Sequence, residues 1–169
     1  FIPKNILTKI SPINKNLKFD NDFILQHITG SPLLTKTSCI EGDNVMSDIL
    51  MIFPRPSETS PQKNPAISIF YPGEAAAKKG FSVEYWDERI DSWDDLKKKS
   101  QNAGTFGISS LSGSMLSRAI KILKWLKENF PAKPTILGGV HATFLPENSL
   151  QEPFVDYVIL GEGEERLPA

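Results

Sequence analysis

Three clusters in this chain have residue types and spacings that chemistry could use. Ser109-Ser110-Leu111-Ser112-Gly113-Ser114 gathers small hydroxyl residues directly before a strongly helical segment. Small side chains let a ligand approach the backbone, and hydroxyls with free N–H groups supply donors at the positive end of a helix dipole. The same residues also suit an ordinary N-cap and turn. Gly138-Gly139-Val140-His141-Ala142-Thr143 sets two glycines where a flat or bulky ligand could reach the main chain, although a tight turn uses glycines equally well. His141 is a candidate either for a structural hydrogen bond or for ligand contact. No second His, Cys or acidic partner stands at metal-ligand spacing from it, so no metal site is assigned. Gly161-Glu162-Gly163-Glu164-Glu165 offers carboxylates that can accept from ligand amides, or that can simply favour the start of a helix. Arg55, held extended between Pro54 and Pro56, is a candidate contact for an anionic group. Asp87-Glu88-Arg89 either adds charge to the same rim or makes a solvated turn.

These clusters need a scaffold that brings them to one edge. Asp48 to Phe53 is a nearly continuous apolar run of strand length, stopped by Pro54-Arg55-Pro56. Such runs suit a strand buried on both faces, as in a parallel sheet. After a polar loop over 58–65, the spacing predicts a helix from Ala66, or one restarted at Pro72, ending at Gly80. Phe81 to Trp86 predicts a strand, Ser92 a helix N-cap, and Thr105 to Ser109 a further strand. Ser114 to Asn129 is the clearest helix, with Met115, Leu116, Ala119, Ile120, Leu123 and Leu126 on one face. Pro134 to Leu137 and Val155 to Leu160 predict two more strands around a short helix at 146–151. The loop 138–143 is expected to be irregular.

Five strands alternating with helices predict an α/β fold: a flavodoxin-like, Rossmann-like, five-stranded parallel sheet with helices on both faces. Ligands of such sheets sit beyond the carboxyl ends of the strands, where the strand order switches, and every cluster named above falls there.

Composition narrows the partners. The chain has 169 residues, 40% of them hydrophobic, and a formal net charge of −1. That size suits one domain, and that charge does not suggest nucleic acid or an anionic membrane surface. With a single cysteine, Cys39, the chain cannot by itself form an internal disulfide or hold an iron–sulfur cluster. No apolar run reaches the length of a membrane span, so a cytoplasmic protein is expected. Residues 1–45 are rich in Asn, Lys, Ser and Thr, with Pro3, Pro12 and Pro32 breaking each apolar run. They read either as an irregular extension to a domain over 46–169 that begins at Met46, or as a cap packed through Phe19, Phe23, Ile24 and Leu25. The first residue is Phe, and the chain stops after an acidic turn, so a fragment truncated before a further domain is expected.

Ser109-x-Leu111, followed after 26 residues by Gly138-Gly139, resembles the second and third parts of the cobalamin-binding motif. Leu137-Gly-Gly-Val-His-Ala-Thr-Phe-Leu-Pro-Glu147 and Asp156-Tyr-Val-Ile-Leu-Gly-Glu-Gly-Glu164 are similar to the N-terminal domain of cobalamin-dependent radical SAM enzymes. There a Gly-Gly-x-His and a Gly-Glu-x-Glu recur in this order. The resemblance covers residues 47–169. It departs from the methionine-synthase type, whose Asp-x-His-x-x-Gly after the first strand supplies a cobalt ligand. Here that loop is Phe53-Pro-Arg-Pro-Ser57, which favours the radical SAM branch.

The resemblance implies a cobalamin (vitamin B12)-binding module with no catalytic residues of its own. Ser109, Ser110 and Leu111 would lie beside the nucleotide tail, and Gly138 and Gly139 would allow backbone contact. His141, Thr143 and the Glu162–Glu164 rim would lie toward the corrin, and Arg55, Ser112, Val140 and Gly161 would also contact the cofactor. It further implies a covalently linked radical SAM domain binding S-adenosylmethionine on a [4Fe-4S] cluster through Cys-x3-Cys-x2-Cys, a motif absent here. The parent's chemistry would be that of a methyltransferase acting on carbon, and this portion alone would be inactive. The residues leave another class open: a non-enzymatic flavodoxin-like binding or signalling module, flavin-carrying or degenerate. A phosphoryl-receiving version fails, because Pro54-Arg55-Pro56 and Ser109-Ser110 stand where its acidic groups would be needed.

Overall fold

A computed structural model describes residues 6–8, 47–58 and 64–167. The expectations for Phe19, Phe23, Ile24, Leu25 and a boundary at Met46 lie outside the described residues. In chain order the elements are β1 (Ile6–Thr8), β2 (Ser47–Phe53), α1 (Ile67–Lys78), β3 (Val83–Asp87), α2 (Trp93–Asn102) and β4 (Ala103–Ser109). They continue with α3 (Ser114–Asn129), β5 (Thr135–Gly138), α4 (Val140–Phe144), α5 (Pro146–Gln151), β6 (Tyr157–Ile159) and α6 (Gly163–Arg166).

Five strands run parallel in the order β3-β2-β4-β5-β6, the 2-1-3-4-5 order of a flavodoxin-like sheet. β1 adds a sixth strand that the sequence reading did not anticipate. It pairs antiparallel with β6, Leu7 opposite Val158, and closes that edge of the parallel sheet.

The sheet divides two apolar layers, and the period-two alternation of β2 shows how. Leu50 and Ile52 face Leu96 of α2 and Ala119, Ile122, Leu123 and Leu126 of α3. Ile49 and Met51 face Ala66, Ile69 and Ala76 of the α1 segment, together with Leu167 after α6. Each strand side chain is thus buried whichever way it points, which is why β2 reads as a continuous apolar run.

Local signals hold at most boundaries. Ser92 caps α2 with a full capping box, its Oγ accepting from Asp95 N at 3.1 Å and Asp95 Oδ2 accepting from Ser92 N at 3.0 Å. Gly80, at φ +87°, follows the C-cap of α1. Two expectations are corrected. Pro72 does not begin α1; it is the sixth of twelve residues and sits inside the helix. A proline there cannot donate to the carbonyl of Ser68, so one rung of the helix is missing. The stretch after Gly139 is helical at once, as α4, instead of remaining a loop, whereas the acidic cluster follows the second of its two readings and starts a helix, α6, at Gly163. Both helices are under two turns long, too short for apolar periodicity to mark them.

Candidate functional site

The register brings small residues together on the α1/α6 side of the sheet. Met51 pairs with Gly107, and Gly107 with Ile136, making one row across β2, β4 and β5. One step nearer the carboxyl ends, Ser109 stands opposite Gly138. With glycine, serine and glycine where large side chains would otherwise fill the layer, a cleft of about 530 Å³ opens above them. It begins at the strand-order switch between β2 and β4 and runs over β5 to β6. α1 forms one wall through Ile67, Ser68, Tyr71 and Pro72, while α4 and α6 form the opposite rim.

Hydrogen bonds stitch the Ser-rich and Gly-Gly loops into one unit. Ser110 N donates to Gly138 O at 3.0 Å, and His141 N donates to Ser110 O at 3.2 Å. Ser112 Oγ lies 2.9 Å from His141 Nδ1. Gly139 takes φ +90° and ψ −170°, a region essentially reserved for glycine. A Cβ there would lie 2.8 Å from Ser109 Oγ and from Ser110 O, so the two loops meet only because that side chain is missing. Gly138 differs: its nearest protein neighbour to a Cβ is 3.9 Å away, and the position faces the cleft. Thr143 finishes the unit, its Oγ1 donating to Gly139 O at 2.9 Å and accepting from Gly161 N at 2.9 Å.

The structure thus brings Ser109, Gly138, Gly139, Val140, Thr143, Gly161, Glu162 and Glu164 to one cleft. Ser109 is 7% exposed, and its hydroxyl has no hydrogen-bond partner among the described residues. It adds a polar point to a mainly apolar depression. Ser110 and Ser112 fasten loops instead of lining the cleft, Ser110 Oγ donating to Leu111 O at 2.7 Å. Leu111 is half exposed outside the cleft. His141 turns away from it, buried beside a smaller cavity of about 300 Å³ that it shares with Leu116, Leu137 and Asn148.

Arg55 also stays outside the cleft. Its N–H donates to Glu88 Oε2 at 2.8 Å and its Nη2 to Glu88 O at 3.2 Å. Arg118 reaches the same Glu88 at 2.6 Å and also pairs with Glu58, so this loop is pinned to β3 and α3. Asp87 and Arg89, expected as rim charge or solvated turn, form a buried pair at 2.6 Å, with the guanidinium 4.6 Å from the Phe53 ring centre. That hydrogen bond raises the Arg89 pKa further above its usual value. Among the described residues no lysine or arginine lines the cleft, and the formal charges they bring to it are the Glu162 and Glu164 carboxylates at the mouth.

Sequence reasoning missed Met51, Gly107, Ile136 and Ile159 of the floor and the α1 wall. Gly107 carried a signal, since an isolated glycine within a strand marks a close approach. Met51 and the isoleucines carried none, being indistinguishable from other core residues. Among the described residues no group of three or more His, Cys, Asp or Glu could hold a metal ion. None of their helices is long and apolar enough to cross a membrane.

Comparison with known proteins bears on the same region. A family model described as "B12 binding domain" matches residues 57–169, from the loop after β2 through α6. The cytidylyl-2-hydroxyethylphosphonate methyltransferase of Streptomyces wedmorensis is 36% identical over 73 residues, covering 42% of this chain. That stretch spans only 14% of the length of the Streptomyces protein.

Proposed function

We propose that this chain, which belongs to the B12-binding domain family, is the cobalamin-holding module of a cobalamin-dependent radical SAM enzyme that transfers a methyl group. The observation that carries the reading is the depression at Gly107, Ser109 and Gly138, with the unpartnered Ser109 hydroxyl inside it. It suits a bulky neutral ligand: glycines admit the main chain's close approach, and the lining is apolar apart from a few polar points. The methyltransferase half of the proposal draws on the Streptomyces relative and on the Gly-Gly-x-His and Gly-Glu-x-Glu resemblance.

When bound, cobalamin supplies the cobalt chemistry of methyl carriage. The chain's own residues bind and shield. Ser109 Oγ donates or accepts within the cleft, and Gly138 leaves room where a side chain would stand. Glu162 and Glu164 accept from amide N–H groups at the mouth. Tyr71, Val140 and Phe144 ring the opening with exposed apolar surface that excludes water once covered. His141 holds the Ser-rich loop through Ser112 and contributes from behind the wall. The S-adenosylmethionine and [4Fe-4S] chemistry belongs to a separate domain, since a lone cysteine cannot supply three thiolates. This portion alone therefore binds without catalysing.

The test is retention. The 169-residue chain is incubated with hydroxocobalamin, desalted and scanned for corrin absorbance. About one corrin per chain is expected, and a Gly138→Trp variant, folded by circular dichroism, is expected to emerge colourless. Retention unaffected by the tryptophan would remove the cleft from consideration as the site.

A further inference from the structure

All four arginines of the chain stand on segments just beyond the carboxyl ends of the strands, and none of them lines the cleft. Arg55 donates to Glu88, and Arg118 pairs with Glu88 and Glu58. Arg89 pairs with Asp87, and Arg166 donates to Leu160 O. Positive charge at this edge is therefore directed into the loops, and the cleft keeps the opposite sign. Glu162 and Glu164 both line it, and among the described residues neither belongs to an ion pair.

The fold holds these two carboxylates in place. Gly163 stands between them, and a Cβ there would lie 2.9 Å from Pro72 Cγ, so the acidic turn seats directly on α1. On one side Gly161 N donates to Thr143 Oγ1 at 2.9 Å. On the other, Leu167 is 2% exposed and packs with Ile69 and Ala76. A further polar group serves the same space: Ser109, 7% exposed, whose hydroxyl has no partner among the described residues.

An anchored, unpaired, purely acidic rim discriminates by what a ligand carries on its periphery. A carboxamide N–H donates to a carboxylate in a charge-assisted hydrogen bond. An ionised carboxyl group in the same place offers no donor and adds like charge. We propose that Glu162 and Glu164 are specificity-determining residues that accept corrinoids whose side arms end in neutral carboxamides and reject those whose arms end in carboxylates. The inference rests on the cobalamin reading above.

The experiment compares cobalamin with its mono- and dicarboxylic derivatives, in which peripheral amides are hydrolysed, by tryptophan fluorescence quenching of the whole chain. All three ligands keep the same base and phosphodiester, so those contacts cancel. At low ionic strength cobalamin is expected to bind about fivefold more tightly than the monocarboxylic form, and the dicarboxylic form more weakly still. At about 0.5 M salt the preference should shrink. The double variant Glu162→Gln, Glu164→Gln keeps acceptor oxygens without charge and should bring the ratio close to one, with urea midpoints confirming that it folds. Glu128→Gln, at the far end of α3, removes one charge elsewhere and should leave the ratio as it was. Equal affinity of the native chain for the amide and acid forms overturns the specificity role while leaving the cobalamin reading intact. A preference that survives in the folded double variant overturns it as well. Failure of every corrinoid to bind overturns the cobalamin reading itself.

Discussion

At Gly139 the backbone stands where side chains are hardly tolerated, and at its neighbour Gly138 it does not. The two adjacent glycines therefore separate stability from binding. Gly139→Ala must relieve both the torsional strain and the 2.8 Å approach to Ser109 Oγ and Ser110 O. It is expected to cost about 3 kcal/mol, measured as a fall in the urea unfolding midpoint. Gly138→Ala meets no neighbour closer than 3.9 Å, so its stability should stay within about 0.5 kcal/mol of the native chain. A reversed order of the two midpoints would refute the division. The Gly-Gly pair is visible in the sequence as a motif, but not the difference between its members. That difference depends on a loop about thirty residues upstream. Ser109 to Ser112 were legible as one cluster for the same reason, yet only Ser109 lines the cleft, because β4 ends there and the chain leaves the sheet for the loop before α3.

Among the elements, α1 and α2 show which signals survive in sequence. Ser92 was recognisable as a cap because its partner Asp95 lies three residues away. Ser92→Ala should cost about 1 kcal/mol in thermal or urea unfolding, and an unchanged midpoint would mean the box is ornamental. α1 is less legible because its helical logic is tertiary. A Cβ at Gly73 would lie 2.3 Å from Tyr85 Oη, so the helix sits on β3 through a missing side chain. The phenol beneath it is pushed up to about 12, first by burial and then by the Glu74 carboxylate. Because the folded state holds that proton more tightly than the unfolded chain, the contribution is complete below pH 10 and is lost as pH climbs through about 12. Tyr157 moves in the same direction, through burial and then Asp156. Unfolding midpoints should therefore fall across this interval. Tyr85→Phe should shrink the fall without abolishing it, while tyrosinate absorbance follows the ionisation directly. α4 escaped sequence reading, and α6 showed only as an acidic helix start: each spans too few residues for a period, and each is set by the turn that precedes it.

At the scale of the whole molecule, the parallel α/β architecture was open to sequence reading because the central strands β2 and β4 are buried on both faces, and β2 stands out as an apolar run. β1 was not, since a three-residue edge strand carries almost no pattern of its own. The site was half legible: its rim is written in Gly, Ser and Glu, whereas its floor is written in ordinary core residues. A ligand seated on that floor should stabilise the folded chain by mass action, so the melting temperature should climb with each tenfold increase in cobalamin concentration. A flat response would argue against binding to the native state. The two cavities share one partition. α4 turns Val140 and Thr143 toward the larger and His141 toward the smaller, on the far side of the Gly-Gly turn. Whatever fills the larger one leans on a wall whose reverse carries an imidazole. The chain has only two histidines, so a His27→Gln variant leaves a single imidazole NMR signal. That signal should shift on loading, making His141 a built-in sensor that reports occupancy of the larger cavity from behind the partition.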